Sequence, residues 1–440
     1  METVVRIAQL LLSLSILVIF HELGHFTFAK LFKTRVEKFY LFFNPWFSLF
    51  KVKKGETEYG IGWVPLGGYV KISGMIDESM DKEQMKLPPQ PWEFRSKPAW
   101  QRLLIMVGGV MVNVILAVFI YIITLYTWGE TYLPTKNMTY GISADSLLHD
   151  FGFENGDKLL KANGEILDNY KDIYIEALLS DPHIITVDRQ GNAIDIRLDN
   201  DDISKIINEG ASIEPRIPFV IADFAKDSPA EKAGFQVEDK IIGFNGNTIS
   251  FFDEFKDSIQ NYKSKSILVT VLREDAEKDI EVTVSAEGLI GVQSLGDYSE
   301  FFELKTKEYS LLASVPAGIK KGYEEIKSYL KQLKMVFTPE TGAYKQVGSF
   351  ISIGKIFPGT WDWEAFWSLT ALLSIMLAVV NILPIPALDG GHVMFLIYEI
   401  IVGKKPSDKF MEYAQIVGMV LLLTLMVLAL GNDFIRHVFN

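Results

Sequence analysis

No cysteine occurs in the 440 residues. That excludes disulfide staples, iron–sulfur clusters and thiolate-bound metal, so any metal the chain holds is ligated by histidine and carboxylate. Histidine is itself scarce, at six residues. Positive charge is also in short supply: 43 Lys and Arg stand against 55 Asp and Glu, for a net charge of −12. Without a basic surface there is no electrostatic footprint for nucleic acid, and no nucleic-acid partner is expected. What is abundant is apolar. Hydrophobic residues make up 49% of a chain that is still 22% charged. Both can coexist if they are segregated, as in a membrane protein with a solvated insert.

Four stretches approach or exceed the length of about 20 mostly apolar residues needed to cross a bilayer: 4–28, 103–128, 366–383 and 413–430. A fifth, 393–402, is too short and reads as a half-helix continuing the third. Arg6 followed by an apolar run imitates a signal peptide, but no small-x-small cleavage site follows, so the segment is expected to stay as a span. Lys30, Lys33, Arg35, Lys38, Lys51, Lys53, Lys54, Arg95, Lys97 and Arg102 crowd the loop after the first span, and Lys404, Lys405 and Lys409 precede the fourth. The positive-inside rule makes both loops cytoplasmic. Both termini and the acidic insert between spans two and three then lie outside the cytoplasm.

The insert repeats itself. Gly152-Phe153-Glu154-Asn155-Gly156-Asp157-Lys158 through Asn163-Gly164 aligns with Gly234-Phe235-Gln236-Val237-Glu238-Asp239-Lys240 through Asn245-Gly246. Each copy reads as a short strand ending in an Asn-Gly turn. Ser228 to Gly234 reads as a short helix ended by glycine. The pattern resembles the PDZ domain, more clearly in the second copy. Further on, Ile319, Tyr323, Ile326, Leu330, Leu333 and Phe337 recur at spacings of three and four. They mark an amphipathic helix that lies on the membrane surface or covers the second repeat.

His21-Glu22-Leu23-Gly24-His25 closes the first span. Two histidines at i and i+4 share one helix face, one turn apart, as a single zinc ion requires. Glu22 is offset by about 100°, outside the ligand shell but placed to take a proton from water. Such groups at membrane depth are costly unless paired or metal-bound. A third ligand is needed. The third span ends Asn381-Ile382-Leu383-Pro384-Ile385-Pro386-Ala387-Leu388-Asp389-Gly390-Gly391-His392. Its prolines and glycines break the helix around a carboxylate, and a broken helix at that depth lines a site. Asp389 is the preferred third ligand and His392 the alternative.

Together these two motifs resemble the site-2 protease family of intramembrane zinc proteases. The paired PDZ-like insert is similar to that of its bacterial regulator-of-sigma-E-protease branch. Tyr59-Gly60-Ile61-Gly62-Trp63-Val64-Pro65-Leu66-Gly67-Gly68-Tyr69-Val70-Lys71 and the terminal Asp433-Phe434-Ile435-Arg436 extend the likeness over nearly the whole chain. The resemblance implies Zn2+ held by His21, His25 and Asp389, with Glu22 as general base. It implies that Asn381 holds the substrate backbone and that the segment around Gly60–Val70 forms a membrane-dipping β-hairpin. Gly67, Gly68 and Tyr69 would then touch substrate, beside a stretch kept unwound by Pro384 and Pro386. Two positions depart from the family pattern: Met376 stands where many relatives carry a second Asn, and Leu41-Phe42-Phe43-Asn44-Pro45 replaces a Gly-x-Gly.

The expected fold is a polytopic α-helical membrane protein with four transmembrane helices, a membrane-associated β-hairpin and an extracytoplasmic insert of two α+β PDZ domains. The divisions are a first span over 1–32, a loop with the hairpin over 33–100 and a second span over 101–128. PDZ domains follow over 129–215 and 216–290, then a segment with the amphipathic helix over 291–362. The third span with the Asp389 motif covers 363–403 and the fourth 404–440. The expected activity is cleavage of single-span membrane proteins already trimmed by another protease, in a bacterial inner membrane. Anti-sigma factors and remnant signal peptides are the substrates that the family suggests. Partners would also include membrane lipid and PDZ ligands on the outer side. Two other readings compete: a PDZ-bearing scaffold or chaperone with a vestigial metal site, which retention of Glu22 disfavours, and a transporter, which four spans without an inverted repeat disfavour.

Overall fold

A computed structural model describes residues 1–75 and 87–438. The chain divides into two compact units. The first is built from residues 1–129, 308–337 and 344–440, the second from residues 130–307 and 338–343.

Among the described residues of the first unit, four helices are long and apolar enough to cross a membrane. They are α1 (Glu2–Leu31), α2 (Ala99–Thr127), α4 (Trp363–Ile382) and the apolar part of α6 (Asp408–Val438). Helix α2 lies against α1, α4 and α3 (Leu311–Val336), and Leu116, Ala117, Ile120 and Tyr121 pack with Leu17 of α1 and Ile375 of α4. Hydroxyls cross-link the same helices where water is excluded. Thr370 donates to Ser13 at 3.0 Å, and Ser374 donates to the Asn113 carbonyl at 2.8 Å.

The amphipathic helix predicted near 319–337 is α3, and it belongs to this unit rather than to the second repeat. Its small residues decide that: a Cβ on Gly318 would come within 2.5 Å of the Ile122 side chain, and one on Gly322 within 2.8 Å of Val118. Ile326 and Leu333 join the core of α2 and α4, while Ile319, Tyr323, Leu330 and Phe337 stay half exposed or more. The predicted apolar stripe is therefore split between packing and surface.

The expected half-helix is α5 (Asp389–Val402), separated from α4 by a loop containing Pro384 and Pro386. Neither proline can donate a backbone hydrogen bond, so helix cannot run through this stretch. Helix α6 lies tightly on the loop, because a Cβ on Gly418 would overlap the Pro386 carbonyl. A buried ion pair between Arg102 and Glu399 ties α2 to α5.

Between α1 and α2 the chain forms a four-stranded sheet: β1 (Val36–Phe43), β2 (Phe50–Lys54), β3 (Thr57–Ile61) and β4 (Val64–Ile72). The strand order is β2-β3-β1-β4, with β1 parallel to β3 and antiparallel to β4. This corrects the hairpin expected around Gly60–Val70. The two arms of that segment never pair with each other; β1 lies between them, with Tyr40 opposite Gly60 on one side and Tyr69 on the other. Strand β4 is left at the sheet edge. The sheet runs back along α1: Phe39 packs edge-on against Phe26, and Gly68 lies against Val18 and Glu22.

In the second unit the aligned repeat positions make matching contacts. Arg189 donates to Asp157 at 2.8 and 2.7 Å and to the Gly152 carbonyl at 2.7 Å. Arg273 donates to Asp239 through two bonds of 2.6 Å and to the Gly234 carbonyl at 2.9 Å. Asn163 and Asn245 each accept from a neighbouring strand, from the amides of Ile184 and Leu268, at 2.8 Å. The glycine-ended helix is Pro229–Ala233, capped by the Ser228 side chain and closed by Gly234 at φ +95°. Strand Ile221–Phe224 pairs with Val292–Ser294 alone among the described strands.

Candidate metal centre and active site

Helix α1 places the rings of His21 and His25 one turn apart, with centroids 4.8 Å from each other and planes at 82°. Their Nε2 atoms are 3.2 Å apart. The first residue of α5 completes a triangle. Asp389 Oδ2 lies 3.2 Å from His21 Nε2 and 3.3 Å from His25 Nε2. Ligands at about 2.0 Å from a tetrahedral ion stand about 3.3 Å from one another, so these three atoms are spaced as three corners of a zinc tetrahedron. Asp389 Oδ2 is buried and accepts no hydrogen bond, which leaves its charge for a cation to satisfy. The donor set is two imidazoles and one carboxylate, a combination that suits zinc with a fourth position open.

Neighbouring groups aim the ligands. His25 Nδ1 lies 2.8 Å from the Ile105 carbonyl of α2. Only an N–H can bond there, so Nε2 carries the lone pair and points into the triangle. His21 Nδ1 lies 3.2 Å from the amide nitrogen of Asn113, whose own Oδ1 is buried without a partner. Amide oxygen and nitrogen exchange by a half-turn. With Oδ1 toward the ring, Asn113 accepts the His21 Nδ1 proton and frees Nε2 as a ligand. Gly109 makes room for both rings: a Cβ there would lie 2.5 Å from His25 Nε2 and 2.7 Å from His21 Cε1.

The triangle opens on a cavity. Glu22 lines it beside His21, His25 and Asp389; Gly68, Tyr69 and Val70 of β4 form one wall, and Ala387, Leu388 and Gln415 contribute elsewhere. Gly68 of that wall lies against the Glu22 side chain. Tyr69 stacks 5.4 Å from Tyr40 and donates to Asn44 at 2.9 Å, so its ring is fixed as part of the sheet.

Several sequence expectations converge here. His21, His25 and Asp389 form the cluster of potential metal donors found among the described residues, and Asn381 Nδ2 is 3.5 Å from His21 Nε2. His392 lines the cavity without belonging to that cluster. Pro384 and Pro386 shape the loop but do not line the cavity, and neither does Gly67, which faces the Phe43 ring at φ +144°. His149 and His183 are engaged elsewhere, with the carbonyls of Phe153 and Ala177. Sequence reasoning missed Gly109, Asn113 and Gln415. The signal for Asn113 was present, since an amide in the middle of an apolar span needs a partner.

A donor triangle with an adjacent glutamate, set on helices of membrane-spanning length, defines an intramembrane metalloprotease. The chain belongs to peptidase family M50, whose family model matches residues 9–425. It is 28% identical to the Regulator of sigma E protease of Haemophilus influenzae, over 98% of both chains. It is 27% identical to a Vibrio cholerae protein named "Putative zinc metalloprotease", over 97% of both. To the Regulator of sigma-E protease RseP of Escherichia coli K12 it is 26% identical, over 98% of both.

Proposed function

We propose that this protease uses zinc to cut the transmembrane segments of single-span membrane proteins, and that the relatives' names point to membrane-bound regulators of sigma factors as its substrates. The observation carrying the reading is the juxtaposition of the His21–His25–Asp389 triangle with the sheet-edge strand β4 in one cavity.

A peptide bond in a membrane helix is shielded by the helix's own hydrogen bonds, and freeing its polar groups in a dry medium costs several kcal/mol for each group left unpaired. Strand β4 offsets that cost by pairing with the unwound segment as an added strand. Gly68 lets the edge lie against α1, since a Cβ there would meet Val18 and the Tyr40 carbonyl at 2.7 Å. Asn381, beside His21, binds the substrate carbonyl region. Zinc, when bound by His21, His25 and Asp389, supplies a Lewis acid at the scissile carbonyl. Glu22 takes the proton from the attacking water and returns it to the departing amine. The loops joining α1 to α2 and α5 to α6 face the cytoplasm, which puts both termini and the second unit outside. The two halves of the second unit act as PDZ domains, a reading supported by the matched Asp157–Arg189 and Asp239–Arg273 clasps.

Glu22→Gln is expected to retain zinc, measured by elemental analysis, and to stop cleavage of a single-span substrate in proteoliposomes. Cleavage at the wild-type rate by that variant removes the reading.

A further inference from the structure

We propose that Gln415 of α6 binds the substrate backbone from the side opposite β4, as a positioning residue that completes a two-sided clamp. This deepens the proteolytic reading above and rests on it.

The cavity holds few polar side chains beyond the metal triangle and Glu22. Tyr69 is committed to Asn44, and His392 has an interaction of its own. Gln415 differs from both. It is 7% exposed, it lines the cavity, and its amide makes no hydrogen bond among the described residues. An amide on a cavity wall with no protein partner has its acceptor and both donors available to a ligand. Its position is also fixed. Gly418, one turn along α6, lies tightly against the Pro386 carbonyl, and that loop leads directly to Asp389. Gln415 is thereby held in register with the metal ligand.

The geometry of an extended chain explains what the amide would meet. Alternate residues of a strand turn their N–H and C=O to opposite sides, so a substrate paired with β4 keeps half its backbone groups facing away. In a dry cavity those groups need partners. Asn381 stands against His21 and serves the reacting peptide. A glutamine offers one acceptor and two donors, which suits a neighbouring peptide group whatever the substrate's side chains. Selection would then rest on how readily a segment unwinds, more than on its sequence.

The test uses the full chain in proteoliposomes with a single-span substrate that the wild type cleaves and Glu22→Gln does not. Gln415→Met keeps length and packing but loses the hydrogen bonds. The expected result is a KM raised about fivefold to tenfold, kcat within about twofold of wild type, and unchanged zinc. A second arm scans backbone esters through the substrate around the cleavage site. One ester on the edge turned away from β4 should weaken binding to the Glu22→Gln trap and have no further effect in Glu22→Gln/Gln415→Met. Wild-type KM in Gln415→Met, or ester penalties that persist in the double variant, overturns the assignment with the protease reading intact. A wild type without activity, or an active Glu22→Gln, overturns that reading instead. If Gln415→Met does not fold, the ester scan on the Glu22→Gln trap still decides, since no penalty at any outward-facing position refutes the clamp.

Discussion

His21 and His25 are two side chains of one helix, and the groups that aim them toward Asp389 come from another, α2. The Ile105 carbonyl sets the tautomer of His25, and Asn113 faces the back of His21. Groups that orient a metal-bound imidazole typically change affinity by about 10–100-fold when removed. Asn113→Ala is accordingly expected to lose zinc to a competing chelator at about tenfold lower chelator concentration, with helicity unchanged by circular dichroism. Asp389→Ala should purify without zinc, whereas His392→Ala should retain it; equal metal content in the two would move the third ligand. These residues differ in how legible they were. A spacing of four on a helix is visible in the sequence, and so is a carboxylate flanked by helix breakers. Asn113 and Gln415 matter because other helices bring them to the site, and no local pattern announces that.

Elements show the same contrast. The four apolar helices follow from composition; the first three keep their ends to within four residues, and the fourth runs eight residues further. The sheet does not, because its pairing is non-local: β1 separates two strands that are adjacent in sequence and look like a hairpin. The family resemblance implied that the segment around Gly60–Val70 folds on itself, while Tyr40, earlier in the chain, takes a place opposite both arms. Helix α3 was legible as an amphipathic helix but not in its location, which Gly318 and Gly322 settle through close approach to α2. The edge strand invites a test at this scale. Gly68→Val would drive a branched side chain into Val18 and the Tyr40 carbonyl and push β4 away from Glu22. Proteolysis of an unwound segment should fall at least about tenfold, as a misplacement of about 1 Å in a reacting geometry can cost about a hundredfold. The His21–His25–Asp389 triangle lies on α1 and α5, so zinc content should remain at wild-type stoichiometry.

For the molecule as a whole, the metal donors and the repeated halves belong to separate compact units. Stability and catalysis can therefore be perturbed independently. The Asp239 side chain is fully buried and Arg273 is its ionic partner. Removing one member of a buried pair typically costs about 3–5 kcal/mol, because the other charge stays buried and unpaired. Arg273→Ala should lower the unfolding transition of the second unit by calorimetry and leave the zinc content of the chain unchanged. A loss of zinc in that variant would show that the two units are coupled.

The order of the metal ligands along the chain has a consequence for biosynthesis. His21, Glu22 and His25 leave the ribosome before the sheet and α2 that support them. Asp389 arrives only after the entire second unit has been made. For most of its synthesis the nascent protein holds half a metal site, and two imidazoles without the carboxylate make a weak trap for zinc. If Asp389 is the third ligand proposed above, competence to cut waits until the chain has been made through Asp389, and a chain stalled before that point should be inactive toward other membrane proteins.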